Sequence, residues 1–463
     1  MNILLINPSL GQVYGKLRPP LQMHMGLAYL AAMVKDDNVR ILDIDAERVD
    51  PGKFASIIKE GDFDIAGISV VTAAFYSSVE LGKVIKTLSP RTLVIFGGIH
   101  PTIMPHEVLG FDFIDLVVKG EGEITFKEIV NCVKNGETDL SKIPGVVYRD
   151  GKAIRETPPR APLNNLDELP FPARNLFKSK EYTYPDSLYK ATAPIITSRG
   201  CPGKCSFCDS HNICGKSFRP RGARNVVDEI ESLIKDRDIR EIHIWDDNFA
   251  TSKARVLGIR DEIIRRKIKA KFAFPSGIRA DFLDKEVLSA LKEMGAYSLA
   301  IGVESGNQEI LNRCRKGLRL ERIEETMRLI KKLKLETWAF FMIGLPGENV
   351  ETIKQTIDFA KKLNPDIAKF HILKPFPGTE VYEYLRKKNF IFTQDYNKFG
   401  FHTPPIHRLD GLEPDTMMKW QKAAYRSFYF RPQKILEQIL RIKTLNRLIL
   451  NLRTGLGIIR LAF

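Results

Sequence analysis

The sequence predicts an α/β protein: an N-terminal doubly wound, Rossmann-like sheet, then a partial (β/α)6 barrel, then a basic, mainly helical C-terminal region. Three observations carry that prediction. Short apolar strands alternate with helical stretches over residues 1–140, which argues for a parallel sheet covered on both faces. A second series of strands, ending in polar residues, runs over residues 191–400. The first of these leads into Cys201, Cys205 and Cys208 in a C-x3-C-x2-C spacing.

In the first region, strands are expected at Asn2–Asn7, Val39–Asp43, Ile65–Val70, Thr92–Gly98 and Asp115–Lys119. Helices are expected at Met25–Val34, Val79–Leu88 and Glu123–Val133. Ligands of such sheets lie at the carboxyl ends of strands, so the loops after Ile6, Ser69 and Gly97 should line a site. Residues 141–190 read as a linker, with a small hairpin turning at Arg149–Gly151. Pro158, Pro159, Pro162, Pro170 and Pro172 stiffen the chain beyond that hairpin. The barrel region opens with a strand at Pro194–Thr197 and a helix at Arg224–Ile234. Further strands at Glu241–Asn248, Lys271–Arg279, Tyr297–Ser305, Glu336–Gly344 and Ile367–Leu373 complete six units, with chemistry expected at their carboxyl ends.

The 463 residues allow two or three domains. Met1–Pro8 is too short and lacks the basic start of a signal peptide, and no apolar run would span a bilayer, so a cytoplasmic location is expected. Clustered cysteines suit a metal site in a reducing compartment better than a disulfide framework. The formal charge of +15 asks for an anionic partner without choosing one. Much of it is in the tail, where Thr416–Phe463 carries ten Lys or Arg and one acid, Glu437. Its basic, leucine-rich stretch Ile435–Arg460 reads as a helical cap over the barrel, or as an interfacial helix drawn to anionic lipid in peripheral membrane contact. No base-stacking module is visible, so nucleic acid is not an expected partner.

Thiolates suit iron–sulfur clusters, zinc or copper(I). Four protein ligands would make a closed zinc site or an ordinary four-cysteine cluster, whereas three leave one metal position open for chemistry. Gly200, Pro202 and Gly203 supply the tight turn that lets three side chains converge. Cys214 and His211 stand near enough in the chain to complete a zinc site, so the residues alone leave structural zinc open.

With Phe207 ahead of the third cysteine, Thr197–Asp209 resembles the signature of the radical S-adenosylmethionine enzymes. The resemblance implies a [4Fe-4S] cluster on Cys201, Cys205 and Cys208, S-adenosylmethionine on its fourth iron, and Phe207 near the adenine. Asp246, Asp247 and Asn248 stand where that family often has Gly-Gly-Glu, which addresses the methionine amino group. Ser276 and Arg279 are placed for the methionine carboxylate, which an arginine fork suits. Glu304 resembles the ribose-hydroxyl acceptor, and Ile343 and Gly344 the segment beside the adenine.

Gly97–Thr102 and Val118–Glu123 resemble the cobalamin-binding half of cobalamin-dependent members of the family. This implies bound cobalamin and places Asn7, Ser69, Thr72, Gly97, Gly98, His100, Gly120 and Glu121 around it. The usual Asp-x-His-x-x-Gly does not follow the first strand. His24 is then the candidate axial ligand to cobalt, the alternative being that it caps or packs its helix.

The resemblance covers residues 1–400. It implies cleavage of S-adenosylmethionine to a 5′-deoxyadenosyl radical and methylation of an unactivated carbon, on a small-molecule or lipid-like substrate. A reductase, flavodoxin or ferredoxin would donate the electron. The layout also resembles the anaerobic magnesium-protoporphyrin monomethyl ester cyclase, a ring-forming or rearranging alternative without methyl transfer. A non-enzymatic zinc or cluster protein is the remaining alternative. Fold and cofactors do not specify the substrate.

Overall fold

In the computed structural model, which describes residues 1–11, 21–178, 182, 184 and 187–440 (the side chain of Ile439 excepted), two parallel sheets follow one another along the chain. The first contains β1 (Asn2–Asn7), β2 (Asn38–Asp43), β3 (Ile65–Ser69), β4 (Leu93–Gly97) and β5 (Leu116–Val118), parallel throughout, in the order β2-β1-β3-β4-β5. Ile3–Ile6 are fully buried, as a strand covered on both faces requires. The order reverses between β1 and β3, which opens a crevice at Asn7 and Ser69.

The hairpin expected in the linker belongs to this sheet. β6 (Val146–Asp150) runs antiparallel to β5, with Leu116 opposite Tyr148, and β7 (Ala153–Glu156) continues it. The sheet therefore extends past residue 140, because the edge of β5 has unpaired backbone groups that the hairpin satisfies. Helices form at Met25–Met33, Phe75–Leu88 and Glu123–Lys134, the second starting earlier than its periodicity suggests. The sequence reading missed Pro51–Gly61, although Asp50 accepts from the Lys53 amide and Pro51 occupies the first turn. It also missed the short helices Ile99–Ile103 and Pro105–Val108 after β4.

The second sheet contains β8 (Thr192–Ile195), then, past the short antiparallel pair β9 (Ser198–Arg199) and β10 (Arg219–Pro220), β11 (Glu241–Ile244), β12 (Lys271–Ile278), β13 (Ala296–Glu304), β14 (Glu336–Ile343) and β15 (Ile367–Ile372). All six strands are parallel and in chain order, the partial barrel that was expected. Along β14, Thr337, Ala339, Phe341 and Ile343 are buried under the outer helices, while Trp338, Phe340 and Met342 are only partly buried and face the barrel interior.

After β15 the chain returns to the first domain, where Tyr396, Phe399 and Ile406 join the core around Phe75 and Phe96. Helix Pro414–Tyr429 then packs on β15, its Tyr425 hydroxyl accepting from the Phe370 amide. Helix Pro432–Leu440 comes next, and the buried Lys434 donates to the Pro365 carbonyl (2.5 Å). The described tail is thus a cap on the last strand; most of the basic stretch Ile435–Arg460 lies outside the described residues. Among the described residues, no helix is long and apolar enough to cross a membrane.

Candidate active site

The cysteine loop is shaped from below. Asp246, at the end of β11, accepts from the Thr197 amide (2.6 Å), the Thr197 hydroxyl (2.5 Å) and the Ser198 hydroxyl (2.5 Å). Its carboxylate is fully covered, with Arg255 3.7 Å away. This corrects the expectation for Asp246: it holds the strand that leads into the loop and has no surface left for a methionine amino group. Gly200 has φ +81°, and a Cβ there would lie 2.2 Å from the Ser217 carbonyl, so only glycine fits.

Polar hydrogens meet the sulfurs. The Gly203 amide donates to Cys201 Sγ (3.4 Å) and Arg279 Nη1 to Cys205 Sγ (3.8 Å), while the Cys208 thiol donates to Ser210 Oγ (3.4 Å). Amide and guanidinium donors of this kind suit thiolate ligands. The zinc reading does not fit. His211 Nε2 lies 3.2 Å from the Cys201 carbonyl, and the Cys214 carbonyl is taken up by Arg219 (3.0 Å). Among the described residues, no three His, Cys, Asp or Glu side chains stand together as a single-ion site. Zinc gathers its ligands on one centre, whereas an iron–sulfur cube takes each thiolate on a different iron.

Of the other sequence-predicted residues of this half, Asp247 and Arg279 touch the loop directly and the rest stand around them. Asp247 accepts from the Gly200 amide (2.9 Å), and burial pushes its carboxyl above the usual range. The buried Asn248 accepts from the Arg279 amide (3.3 Å). Arg279 pairs with Asp281 (2.9 Å) and donates to the Lys316 carbonyl (2.8 Å). Glu304 has φ +66° and forms a buried ion pair with Lys316 (2.7 Å). Ser276 is exposed on the same rim, and Phe207 is half-buried against the barrel core.

Ile343 is buried, and Gly344 beyond it has φ +90°. The Gly344 amide donates to Glu348 (2.6 Å), and its carbonyl lies 2.9 Å from His407 Nε2. Sequence reasoning missed Lys316, Glu348 and His407. Glu348 was within reach, four residues beyond Gly344; nothing local signals a partner as distant as His407.

In the first domain the candidates separate into groups. Asn7 donates to Asp43 (3.0 Å), and both line a cavity of about 310 Å³ with His24, Pro194, Ile196 and Trp245. This cavity therefore lies between the β1–β3 crevice and the barrel. His24 Nδ1 accepts from the Leu27 amide (3.2 Å), which leaves the proton on Nε2, 3.1 Å from Ser69 Oγ. Burial lowers its pKa to about 4, so the ring is neutral. His24 is a helix cap here, the alternative the sequence left open.

Thr72 is buried in a turn after β3. Gly97 closes β4 and its carbonyl accepts from the Val70 amide (2.7 Å). Gly98, at φ +97°, has room for no Cβ, which would stand 3.0 Å from the Val70 backbone. Gly120, at φ +70°, has nothing within 4 Å of a Cβ position, and with Glu121 it lines a cavity of about 720 Å³. His100 is fully buried between Phe75 (4.3 Å) and Tyr396 (4.7 Å), and neither ring nitrogen has a partner among the described residues. An orphaned imidazole, an open glycine and two cavities at the strand ends fit a large amide-rich ligand.

The two halves are locked together at the cysteine loop. Arg199, two residues before Cys201, pairs with Glu123 and lies 3.5 Å from Glu121; Arg219 Nη1 donates to Glu121 (2.9 Å). All four side chains are nearly buried. Helix Ile99–Ile103 of the first half packs on helix His211–Cys214 of the second. Fold and site thus define a cluster-bearing barrel enzyme with a doubly wound cofactor domain docked on its cluster loop.

Two family models match: the Radical SAM superfamily over residues 195–360 and the B12 binding domain over residues 19–130. The chain is 34% identical over 445 residues to an uncharacterized methyltransferase of Pyrococcus horikoshii, covering 95% of each. It is 28% identical over 371 residues to the anaerobic magnesium-protoporphyrin IX monomethyl ester cyclase of Rubrivivax gelatinosus, covering 79% of this chain and 66% of the relative. The fold is shared with the radical S-adenosylmethionine methyltransferase TsrM from Kitasatospora setae (TM-score 0.70, 23% identity, 83% of this chain and 78% of the other). It is shared also with the cobalamin-dependent enzyme OxsB (TM-score 0.76, 17% identity, 100% and 71%). The chain belongs to the cobalamin-dependent radical S-adenosylmethionine enzymes, and its cofactors are a [4Fe-4S] cluster, S-adenosylmethionine and cobalamin.

Proposed function

We propose that this enzyme methylates an unactivated carbon of a small-molecule substrate. The observation that carries the reading is the Arg199–Glu123 and Arg219–Glu121 lock, which joins the loop after β5 to the cysteine loop and brings the two cofactor regions to one junction. When bound, the cluster and S-adenosylmethionine supply a hydrogen-abstracting radical and cobalamin supplies a methyl group.

The chain's own residues bind and orient. Cys201, Cys205 and Cys208 would hold the cluster, with the Gly203 amide and Arg279 stabilising negative charge on sulfur. Asp247 would address the methionine amino group, and Arg279 and Ser276 its carboxylate; Asn248, like Asp246, is sealed, with its amide bonded to Thr251 and to the Arg279 backbone. Glu304, fixed by Lys316, would take the ribose hydroxyls, and Ile343 and Gly344 would flank the adenine beside Phe207. Gly97, Gly98, His100 and Gly120, with Asn7, Thr72 and Glu121 behind them, would cradle cobalamin. A flavodoxin, ferredoxin or reductase would supply the electron.

Kinship with an uncharacterized methyltransferase over 95% of both chains supports methyl transfer. Kinship with the cyclase supports the alternative, radical ring formation or rearrangement. Anaerobic incubation of the loaded enzyme with reductant, S-adenosylmethionine and candidate substrates separates them. Methylation forms 5′-deoxyadenosine and S-adenosylhomocysteine together. 5′-Deoxyadenosine alone with substrate consumed moves the assignment to the cyclase class, and neither product from cluster-intact protein overturns both.

A further inference from the structure

β14 ends at Ile343, and the next two peptide planes, Ile343–Gly344 and Gly344–Leu345, are each held at both ends. In the first, the Ile343 carbonyl accepts from the Leu373 amide (2.8 Å), and the Gly344 amide donates to Glu348 Oε2 (2.6 Å). In the second, the Leu345 amide donates to the same Glu348 oxygen (3.1 Å), and the Gly344 carbonyl lies 2.9 Å from His407 Nε2. Leu373 and Glu348 belong to the barrel. His407 comes from the C-terminal region.

Gly344 makes that last hold matter. At φ +90° and without a Cβ, its backbone has conformations open to it that other residues lack. Its carbonyl is therefore free to turn over unless a donor keeps it in place. Glu348 fixes the N–H end of the second plane and His407 fixes the carbonyl end.

Packing alone does not account for a histidine here. The His407 side chain is fully buried, and Nδ1 has no partner among the described residues. An apolar side chain would fill the space without leaving a buried nitrogen unsatisfied. Burial holds the pKa of His407 at about 4, so the ring is neutral and carries one proton. A carbonyl takes only a donor, which puts that proton on Nε2. The backbone behind the ring is fixed as well. His407 bridges to Ile391, and the Arg408 amide donates to the Phe390 carbonyl (3.0 Å). Lys374, just past β15, donates to the Thr403 carbonyl (3.0 Å) and ties down the chain that leads to His407.

We infer that His407 is a positioning residue for S-adenosylmethionine. By holding the Gly344 carbonyl it fixes the wall against which the adenine lies, and this makes the C-terminal region part of the cofactor site. The inference rests on the reading that Ile343 and Gly344 flank the adenine. It concerns the adenosine half of the cofactor and leaves the methionine half to Asp247, Arg279 and Ser276.

The test uses the full chain loaded with cluster and cobalamin, without reductant so that nothing turns over. S-adenosylmethionine and methionine are the two probes. In wild type, hydrogen–deuterium exchange should slow within 344–348 and within 404–409 on adding S-adenosylmethionine, because a ligand stabilises whatever holds its bound arrangement. Methionine should slow neither. Slowing within 344–348 alone would overturn the role of His407 and keep the adenine reading; slowing in neither segment would overturn both. Calorimetry on two variants adds a second test. His407→Leu should weaken S-adenosylmethionine about tenfold and methionine by less than about twofold, the scale of one buried hydrogen bond. His407→Gln, whose amide can reach the same carbonyl, should stay within about threefold of wild type. Equal loss of both probes, no loss in His407→Leu, or a His407→Gln as weak as His407→Leu would overturn the inference. The exchange comparison decides without a variant, and because no product is read it stands apart from the methyltransferase experiment.

Discussion

His24 and Ser69 are joined across the first domain, with Nε2 3.1 Å from Oγ, while Nδ1 accepts the Leu27 amide. Both imidazole nitrogens are used, and burial keeps the ring neutral. The cob(II)alamin form of the enzyme is therefore expected to show no nitrogen hyperfine splitting from His24 in electron paramagnetic resonance. His24→Ala should keep cobalamin and lose about 1 kcal/mol of stability, the usual worth of a side-chain cap. A nitrogen triplet that disappears in that variant would instead make His24 the ligand.

Cysteine replacements should divide the six thiols. Cys201→Ala, Cys205→Ala and Cys208→Ala are each expected to abolish the iron–sulfur absorbance near 400 nm after anaerobic reconstitution. Cys214→Ala should retain it, because Cys214 lies outside the Cys201–Cys208 loop, on a short helix whose end is tied to Arg219. Loss of iron from Cys214→Ala equal to that from the other three would show a fourth ligand.

Gly344 cannot take a side chain. Its φ of +90° is left-handed, and a Cβ would stand 2.9 Å from His407 Nε2 and 3.1 Å from Met417 Sδ. Strain and overpacking together should cost Gly344→Ala at least about 2 kcal/mol. Chemical denaturation measures this; a loss below 0.5 kcal/mol would mean that the tail yields.

Breaking the lock between the domains should be costly on one side only. Arg199→Met leaves Glu123 buried without its partner, which costs about 3–5 kcal/mol. Thermal melting, and faster proteolysis within 157–172, would report it. Adding Glu123→Leu should return most of the loss, since the unpaired charge is then gone.

Glu348 should give stability a slope with pH. Burial raises its pKa to about 8, although the Gly344 and Leu345 amides oppose the shift. Between the ordinary carboxyl range and pH 8 the folded form keeps a proton that the unfolded chain has released. Stability from this group is therefore full in acid and falls as pH rises to 8. The difference between wild type and Glu348→Gln should shrink or reverse over that interval, and a pH-independent difference would show that Glu348 is ionised throughout.

The local chemistry was readable in advance. The spacing of Cys201, Cys205 and Cys208, the six barrel strands and the glycines at Gly97, Gly98 and Gly344 depend on turn geometry and on apolar periods a few residues long. The Asp50–Pro51 helix start was equally local and was overlooked. The two aspartates 246 and 247 show where such reading ends. Adjacent and chemically identical, one is sealed under Thr197 and Ser198 while the other meets the Gly200 amide at the loop.

The sequence by itself determined the two-sheet architecture, because hydrophobic period is a property of neighbours in the chain, and the resemblance of its cysteine and glycine motifs to a known family implied the cofactor class. Only the tertiary structure decided which charges are partners. Glu121 answers Arg219 across 98 residues, and Glu123 answers Arg199 across 76. His407 reaches Gly344 across 63 residues, and the β6–β7 hairpin closes a sheet from which it had looked separate. Such pairings follow from burial, which forces every enclosed polar group to find a partner wherever the fold brings one.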